Sequence, residues 1–386
     1  MITYHHIGGR SGTYPFPLKN NNLLKDFHLV LYDADVDCVS QMESSKNSLF
    51  GKESILPYCI GKTSSTANFH LNFHPTTNSL YPFNPLYNDY CYVKDPLYGN
   101  YAFGDACKTE ETIEVTLFSL ADALKDCGVG ELDFLSIDTQ GAEYDIIVGA
   151  KELMRDSCLG IQLEAEFVEL YKGQKVFSDI DPLMKSLGFE LLELFSFGRC
   201  TPMITPIGFR GEEQPIHAEA VYVKSESFLR QHASVEQLYK TALFSLSYNK
   251  LGHCLKVLSM IDSTKEPGSD EPMPGYVVFL QKLHALYQGS VHCQLPRLSN
   301  LFTNKAFRDY YSGENNHRVV GDDVVSSLQR LLPEMEALTK QEFSPLEILL
   351  RDHGFDELAQ IARENRRYES QCFFKLVDLY CVLSAV

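Results

Sequence analysis

Three carboxylates in the middle of the chain lie where they could do acid–base chemistry. Asp138 ends the apolar run 132–137, and Glu164 and Glu166 lie inside the next apolar run. A carboxylate inside an apolar strand is costly unless it reaches the strand end or a partner. A carboxylate within hydrogen-bond reach of a hydroxyl can remove its proton, so Asp138 is the first candidate base and Glu164 the second. Glu166 is a candidate substrate-binding residue behind Glu164.

A strand, a tight turn and a helix are predicted over residues 131–150, and this unit must position Asp138. Strand-forming residues give way to Thr139-Gln140-Gly141, and apolar residues then recur at helical spacing from Ile146 to Met154. Such a unit is typical of a parallel α/β sheet, in which ligands lie beyond the carboxyl ends of the strands. Asp138 is therefore expected to face a crevice; the alternative is that it only caps the helix.

The chain opens with a predicted strand, Ile2 to Ile7, that runs into a turn containing Gly8, Gly9 and Gly12. Glycine allows positive φ and close approach of the backbone to a ligand. The spacing is not that of a dinucleotide fingerprint, which counts against a nicotinamide-dependent oxidoreductase. A glycine-rich turn after a strand also occurs without any ligand, so a purely structural turn is the alternative.

A second predicted strand, Phe27 to Tyr32, ends at two acids, Asp33 and Asp35. An acid at this place in nucleotide-binding α/β folds holds a ribose diol. A carboxylate can accept charge-assisted hydrogen bonds from two vicinal hydroxyls at once. The alternative is a solvated turn.

Two loops are candidates for contact with a substrate. Residues 74–112 are dense in Tyr, Pro, Asn and Gly, and their aromatic content argues against disorder. We interpret them as a folded loop that walls the substrate site, or as a loop packed on its own tyrosines. Tyr171 and Lys172 follow the predicted strand of Glu164, where they would touch substrate or form a solvated turn.

Composition bounds the class of protein. The 386 residues are 44% hydrophobic and 22% charged, which is typical of a globular protein. The net charge of −17, without a Lys/Arg cluster, disfavours a nucleic-acid partner. Eleven cysteines without a C-x-x-C pair favour reduced thiols in the cytoplasm. We expect no secretion signal, because the start of the chain has neither a basic n-region nor an apolar h-region. We expect no membrane span, because no apolar run reaches roughly 20 residues.

The pattern changes near residue 225. Residues 1–225 alternate predicted strands and helices, whereas residues 226–386 predict a helical domain. Its predicted helices cover 238–260, 276–287, 324–338 and 346–364. This region is a candidate for covering the first domain, for self-association into a homo-oligomer, or for binding a partner.

Three segments resemble the FkbM family of S-adenosylmethionine-dependent methyltransferases. They are LDFLSIDTQGAEYDIIVGA, with a D-x-x-G-x-E pattern at Asp138, Gly141 and Glu143, then IQLEAEFVELYKGQKVFSDIDPLMKSLGFEL, and AEAVYVK. IGGRSG and LYDAD are similar to the family's cofactor glycine turn and strand-two acid. The resemblance covers residues 1 to about 225. It implies a Rossmann-like class I methyltransferase sheet, mostly parallel with an antiparallel closing strand.

The resemblance also implies site residues and an activity. S-Adenosylmethionine is the implied cofactor, and its candidate contacts are Gly8, Gly9, Gly12, Asp33, Asp35, Gly61 and Gln140. The expected reaction is O-methylation of a hydroxyl on a sugar, a glycan or a secondary metabolite. His6 stands where the family usually has an acid, so the alternative is a catalytically degenerate scaffold. A divalent cation such as Mg²⁺ between two carboxylates is not favoured, since no third ligand is evident.

Overall fold

The structure, a computed structural model, describes most of the first 261 residues and two later segments. The described residues are 1–8, 17–18, 21–34, 36–44, 49–88, 92–95, 99–129, 131–202, 214–261, 273–288 and 345–360. Gly9, Gly12, Asp35 and the predicted helix 324–338 lie outside them. Contacts between Cα atoms divide the chain into two compact units, Met1–Tyr276 and Val277–Val386.

The strands of the first unit occur throughout its length. In chain order they are β1 (Ile2–Ile7), β2 (Phe27–Tyr32), β3 (Lys52–Leu56), β4 (Cys59–Gly61), β5 (Ser65–Asn72), β6 (Tyr92–Asp95), β7 (Gly99–Ala102), β8 (Thr109–Ser119), β9 (Phe134–Ile137), β10 (Gly160–Glu166), β11 (Phe189–Cys200) and β12 (Gln214–Lys224).

Helices separate many of these strands and follow the last one. They are α1 (Asn21–Leu24), α2 (Val36–Ser44), α3 (Phe103–Ala106), α4 (Leu120–Cys127), α5 (Glu143–Gly149), α6 (Lys151–Asp156), α7 (Phe177–Ser186), α8 (Glu226–His232), α9 (Val235–Ser247), α10 (Leu251–Ile261), α11 (Gly275–Gln288) and α12 (Pro345–Asp352).

Seven strands form the central sheet, in the order β11-β12-β10-β9-β1-β2-β3. β3, β2, β1, β9 and β10 run parallel, and β12 runs antiparallel to β10 and β11. The chain crosses from β3 on one side of β1 to β9 on the other, which makes a switch point at the carboxyl ends of β1 and β9. The mostly parallel sheet with an antiparallel closing strand is confirmed.

The parallel strands form because their residues are apolar on both faces. Every residue of β1, β2 and β9 is buried, as expected for a parallel sheet covered by helices. On one face, side chains of the sheet such as Ile7 and Ile137 form a core with Leu120, Ile146 and Met184 from the helices. This core holds the carboxyl ends of the strands in register.

Helix α9 packs on the opposite face of the sheet. The Phe244 ring stacks on Phe134 at 4.7 Å, and it lies so close to Gly160 that an added Cβ would come within 2.5 Å of it. Lys240 reaches Asp133 at the amino end of β9, with Nζ 2.9 Å from Oδ1. The unit that contains the sheet therefore extends beyond residue 225, where the sequence pattern changes, to Tyr276.

Several local predictions differ from the structure. The single predicted helix 238–260 is two helices, α9 and α10, separated near Asn249, whose φ is +60°. The predicted loop 74–112 contains the β6–β7 hairpin and the start of β8, which pairs with β5 over its length. The first four residues of β8 are all exposed, so buried and exposed residues do not alternate there as they do in a strand with one buried face. The sequence also predicts a helix over 178–187 with Asp181 and Pro182 as its cap and first position, but α7 begins at Phe177 and Pro182 lies inside it.

In the second unit, Phe279 stacks on Phe355 with ring centroids 5.2 Å apart. Among the described helices of the whole chain, none has the length and apolar character that crossing a membrane requires.

Candidate functional site

A cleft of about 630 Å³, open to solvent, lies at the carboxyl ends of β1, β2 and β9. Its lining includes Gly8, Asp33, Asp138 and Gln140, four of the residues that the sequence singles out. In α/β sheets, small-molecule sites lie at this switch point. The cleft is therefore the candidate ligand site.

Gly8 brings the end of β1 against the end of β9. Its φ is +94°, and an added Cβ would lie 1.8 Å from the carbonyl oxygen of Asp138. The Asp138 amide donates to the Ile7 carbonyl at 3.0 Å, and the Gly8 amide donates to Tyr32 at 3.2 Å. Only glycine fits this close approach, so the wall of the cleft here is bare backbone.

Asp33 and an apolar wall form the other side of the cleft. Asp33 is half-buried just after β2, and its amide donates to the Leu56 carbonyl at 3.3 Å. Ile60, Phe69 and Leu80 line the same space. A carboxylate beside apolar side chains suits a ligand that carries both hydroxyls and a flat ring.

The turn after β9 is closed by a buried carboxylate, Glu143. One Glu143 oxygen accepts from the Thr139 amide at 2.7 Å and from its hydroxyl at 2.9 Å, and the other accepts from the Gly141 amide at 3.0 Å. Gly141 has φ of +108°, which explains the glycine of the D-x-x-G-x-E pattern. The pattern thus encodes a turn that presents Asp138 and Gln140 to the cleft.

Gln140 links the carboxylates of two strands. Its Nε2 donates to Asp138 Oδ1 at 2.8 Å and to Glu164 Oε2 at 2.7 Å, and its Oε1 accepts from the Tyr171 hydroxyl at 2.8 Å. Its carbonyl accepts from the Ser79 hydroxyl at 2.6 Å. The residue has φ of +57°, a strained conformation for a side chain other than glycine, which these contacts maintain.

The acidic residues around Gln140 have perturbed pKa values. Although the Asp138 side chain is exposed to the cleft, desolvation and then the charge on Glu164 raise the pKa of its carboxyl well above the ordinary value. Burial raises the pKa of Glu143 to about 7, and burial with the charges of Glu143 and Glu164 raises the pKa of Glu166. Perturbed acids in a cleft are typical of functional sites.

Other predicted site residues lie away from the lining of the cleft. Gly61 is buried against Leu117, and Lys172 is exposed. Tyr171 is fully buried, which argues against direct substrate contact and gives it a role in holding Gln140. Glu166 is only 1% exposed, and its Oε2 has no hydrogen-bond partner among the described residues.

His6, the departure from the family pattern, is buried inside β1. Burial lowers the pKa of its imidazole to about 4, so the ring is neutral at pH 7. The lining of the cleft includes its neighbours Ile7 and Gly8 instead. His6 therefore does not replace the missing acid.

No sequence pattern indicates that His217 on β12 belongs to the site. Its Nδ1 lies 2.9 Å from Glu164 Oε1. The signal could not come from spacing, because the two residues are far apart in the chain and meet only when β10 pairs with β12. Within the described ranges, no group of three His, Cys, Asp or Glu side chains is arranged to hold a metal ion.

Comparison with known proteins relates part of the chain to a methyltransferase domain family. None of the curated proteins compared with the chain matches it. A crystal structure of a dimethyladenosine transferase from Plasmodium falciparum aligns with 73% of this chain and 82% of its own, at 10% identity. Its TM-score of 0.27 is too low to carry an argument. The model of the methyltransferase FkbM domain matches residues 53–191, and this match confirms the family resemblance of that segment.

Proposed function

We propose that the protein is an S-adenosylmethionine-dependent methyltransferase that methylates a hydroxyl of a small molecule or glycan. The observation that carries the proposal is the single cleft lined by Gly8, Asp33 and Asp138. The FkbM match supports methyl transfer, and it includes Asp138 and Glu164. Its range does not include Gly8 or Asp33, so the cofactor roles of these two residues rest on their geometry.

The residues of the cleft fit a sulfonium nucleoside. Asp33 has the position and charge to accept hydrogen bonds from a ribose diol, and the bare backbone at Gly8 allows close approach of the methionine portion. Ile60, Phe69 and Leu80 offer an apolar surface for adenine. Acids near the cleft suit a cation, and no Lys or Arg lines it among the described residues.

When bound, S-adenosylmethionine supplies an electrophilic methyl group for in-line displacement. The chain's own task is to align the acceptor and to remove its proton, and alignment alone contributes several kcal/mol. We assign proton removal to Asp138. Gln140 fixes its Oδ1 at 2.8 Å, which leaves Oδ2 for the acceptor hydroxyl. Because desolvation and Glu164 raise the pKa of Asp138, its carboxylate is a stronger base than an ordinary one.

A hydroxyl on a sugar or secondary metabolite is the proposed acceptor. A neutral hydroxyl needs a base, and Asp138 with its raised pKa can supply it. The net charge of −17 disfavours polyanionic acceptors. We propose that the enzyme acts in the cytoplasm without a metal. Self-association through the helical region is a further proposal.

Calorimetric and thermal titration with S-adenosylmethionine tests the cofactor assignment. A ligand at 100 times its Kd should stabilise the fold by about 2.7 kcal/mol through mass action. Transfer of a labelled methyl group to fractionated lysate small molecules, followed by mass spectrometry and NMR, then identifies the acceptor atom. No thermal shift at saturating cofactor would favour the alternative, a degenerate domain that serves as a scaffold.

A further inference from the structure

The closing hairpin carries an ion pair that connects to the proposed base. His217 Nδ1 lies 2.9 Å from Glu164 Oε1, and Glu164 Oε2 accepts from Gln140 Nε2 at 2.7 Å. The same Gln140 nitrogen donates to Asp138 Oδ1 at 2.8 Å. His217, Glu164, Gln140 and Asp138 therefore form a continuous series of side-chain contacts that ends at the cleft.

A β-bulge makes room for His217 in this series. The pairing of β11 with β12 shifts register between Phe195 and Gly198, and Ser196 between them has φ of +52°. The shift places Gly198 opposite His217, where an added Cβ would lie 1.8 Å from the imidazole Nε2. Bulges next to active sites re-aim side chains in this way. Any other residue at 198 would displace the ring.

Acids surround His217 on the neighbouring strands. Glu164 and Glu166 come from β10, Glu219 lies two residues along β12, and Arg199 follows Gly198 on β11. Burial lowers the pKa of the His217 imidazole, but the contact with Glu164 and the charges of Glu164 and Glu219 outweigh it, so the pKa is raised. The ring gains a proton more readily than an ordinary histidine, and that proton compensates the charge of Glu164.

We propose that His217 is a positioning residue that holds the Glu164 carboxyl group in place, so that Glu164 and Gln140 hold Asp138 ready to accept the hydroxyl proton. The inference rests on the proposed function and deepens it. Glu164 Oε2 accepts a hydrogen bond from Gln140, and the His217 ring lies at ion-pair distance from Oε1 without a hydrogen bond in good geometry. Glu164 therefore connects His217 with Gln140 and is not the base in this inference. Without His217, Glu164 Oε1 loses the contact that holds it beside β12.

The first experiment needs no acceptor. NMR titration of selectively labelled histidines should give His217 a pKa above 6.5, and Glu164→Gln should lower it to below 6.5, because burial then dominates. The exposed His232 provides an internal reference signal. Gly198→Ala should displace the ring and lower the pKa in the same direction, whereas Gly252→Ala, where an added Cβ meets open space, should not. An unchanged His217 pKa in Glu164→Gln overturns the inference.

The second experiment measures methyl transfer to the acceptor fraction. His217→Gln should reduce kcat by roughly 10- to 100-fold, as expected when a catalytic group is misplaced. His217→Lys should recover part of the loss because it restores a positive charge beside Glu164, which a merely structural role does not predict. Wild-type kcat in His217→Gln overturns the inference. If S-adenosylmethionine does not bind the wild type, the proposed function is wrong. The contact between His217 and Glu164 is then still tested by the NMR titration.

Discussion

Strand β9 has an aspartate at each end, and the two carboxylates have opposite surroundings. At the amino end, Asp133 accepts from the Thr3 amide at 2.8 Å, and Lys240 Nζ lies 2.9 Å from Oδ1 and 3.0 Å from Oδ2. At the carboxyl end, Asp138 accepts from a neutral amide of Gln140 and lies near other acids. One carboxylate is neutralised within the fold, and the other is not.

This difference separates a structural acid from a chemical one. A buried charge costs several kcal/mol unless a partner compensates it, and Lys240 compensates Asp133. Asp138 keeps a raised pKa and an exposed oxygen, which are properties of a base that a ligand completes. The two ends of β9 should therefore respond to mutation in opposite ways: stability at Asp133, turnover at Asp138.

Replacing Asp138 with asparagine should have the largest effect. Asn keeps the shape but cannot take a proton, so methyl transfer should fall roughly 10²- to 10⁴-fold. The melting temperature should hold or rise, because a carboxylate near Glu164 is removed. Single-turnover transfer from labelled cofactor and thermal unfolding measure the two effects. Asp156→Asn, exposed at the end of α6, is the matched control, and full turnover in Asp138→Asn would remove it as the base.

At the opposite end of the strand, Lys240→Met should cost stability instead. It leaves the Asp133 charge buried without a cation, which typically lowers the free energy of unfolding by about 3 to 5 kcal/mol. Cofactor affinity should not change. Urea denaturation measures the loss, and Lys185→Met, which breaks an exposed pair with Asp181, should cost less than about 1 kcal/mol.

Adding Asp133→Asn to Lys240→Met should recover part of the lost stability, because the uncompensated charge disappears. A loss below about 1 kcal/mol in Lys240→Met alone would contradict the structural role of this pair.

Stability should also depend on pH through the turn at the carboxyl end. The pKa of Glu143 is about 7 in the folded chain and 4.5 as its ordinary value. The folded chain thus binds this proton more tightly, so the stabilisation is complete below pH 4.5 and is lost as pH rises through about 7. The loss for this group is on the order of 3 kcal/mol.

Urea denaturation from pH 4.5 to 8 measures this slope, and Glu143→Gln should flatten it. The raised pKa values of Asp138 and Glu166 act in the same direction, so some slope should remain in the variant. A slope that is the same in Glu143→Gln and wild type would show that the carboxyl of Glu143 titrates normally.

The sequence predicted the parts of the site that are local. An apolar run that ends at Asp138, a glycine after β1 and an acid after β2 are each visible within a few residues of the sequence. These local signals placed Gly8, Asp33 and Asp138 at one edge of the sheet. The structure brings all three to the same cleft.

The long-range parts could not be predicted from local patterns. Asp133 and Asp138 look alike in the sequence DFLSID, and only the fold brings Lys240 to one of them. His217 reaches Glu164 through strand pairing and a bulge, neither of which has a spacing rule. The first residues of β8 are polar, so the sequence predicts a loop there, whereas the structure shows that they pair with β5.

The smallest expected effect is at Asp33, the acid of the cleft that lies away from β9. Asp33→Ala should weaken S-adenosylmethionine binding by roughly 10- to 150-fold, since a charge-assisted hydrogen bond contributes about 1.5 to 3 kcal/mol. Asp33 is half-buried, so the free energy of unfolding should change by less than about 1 kcal/mol. Asp33→Asn keeps a hydrogen-bond acceptor without the charge, so its affinity for S-adenosylmethionine should lie between those of the wild type and Asp33→Ala. Calorimetry with S-adenosylmethionine measures the affinity. An unchanged Kd in Asp33→Ala would show that another residue binds the ribose, and it would not affect the contrast between Asp133 and Asp138.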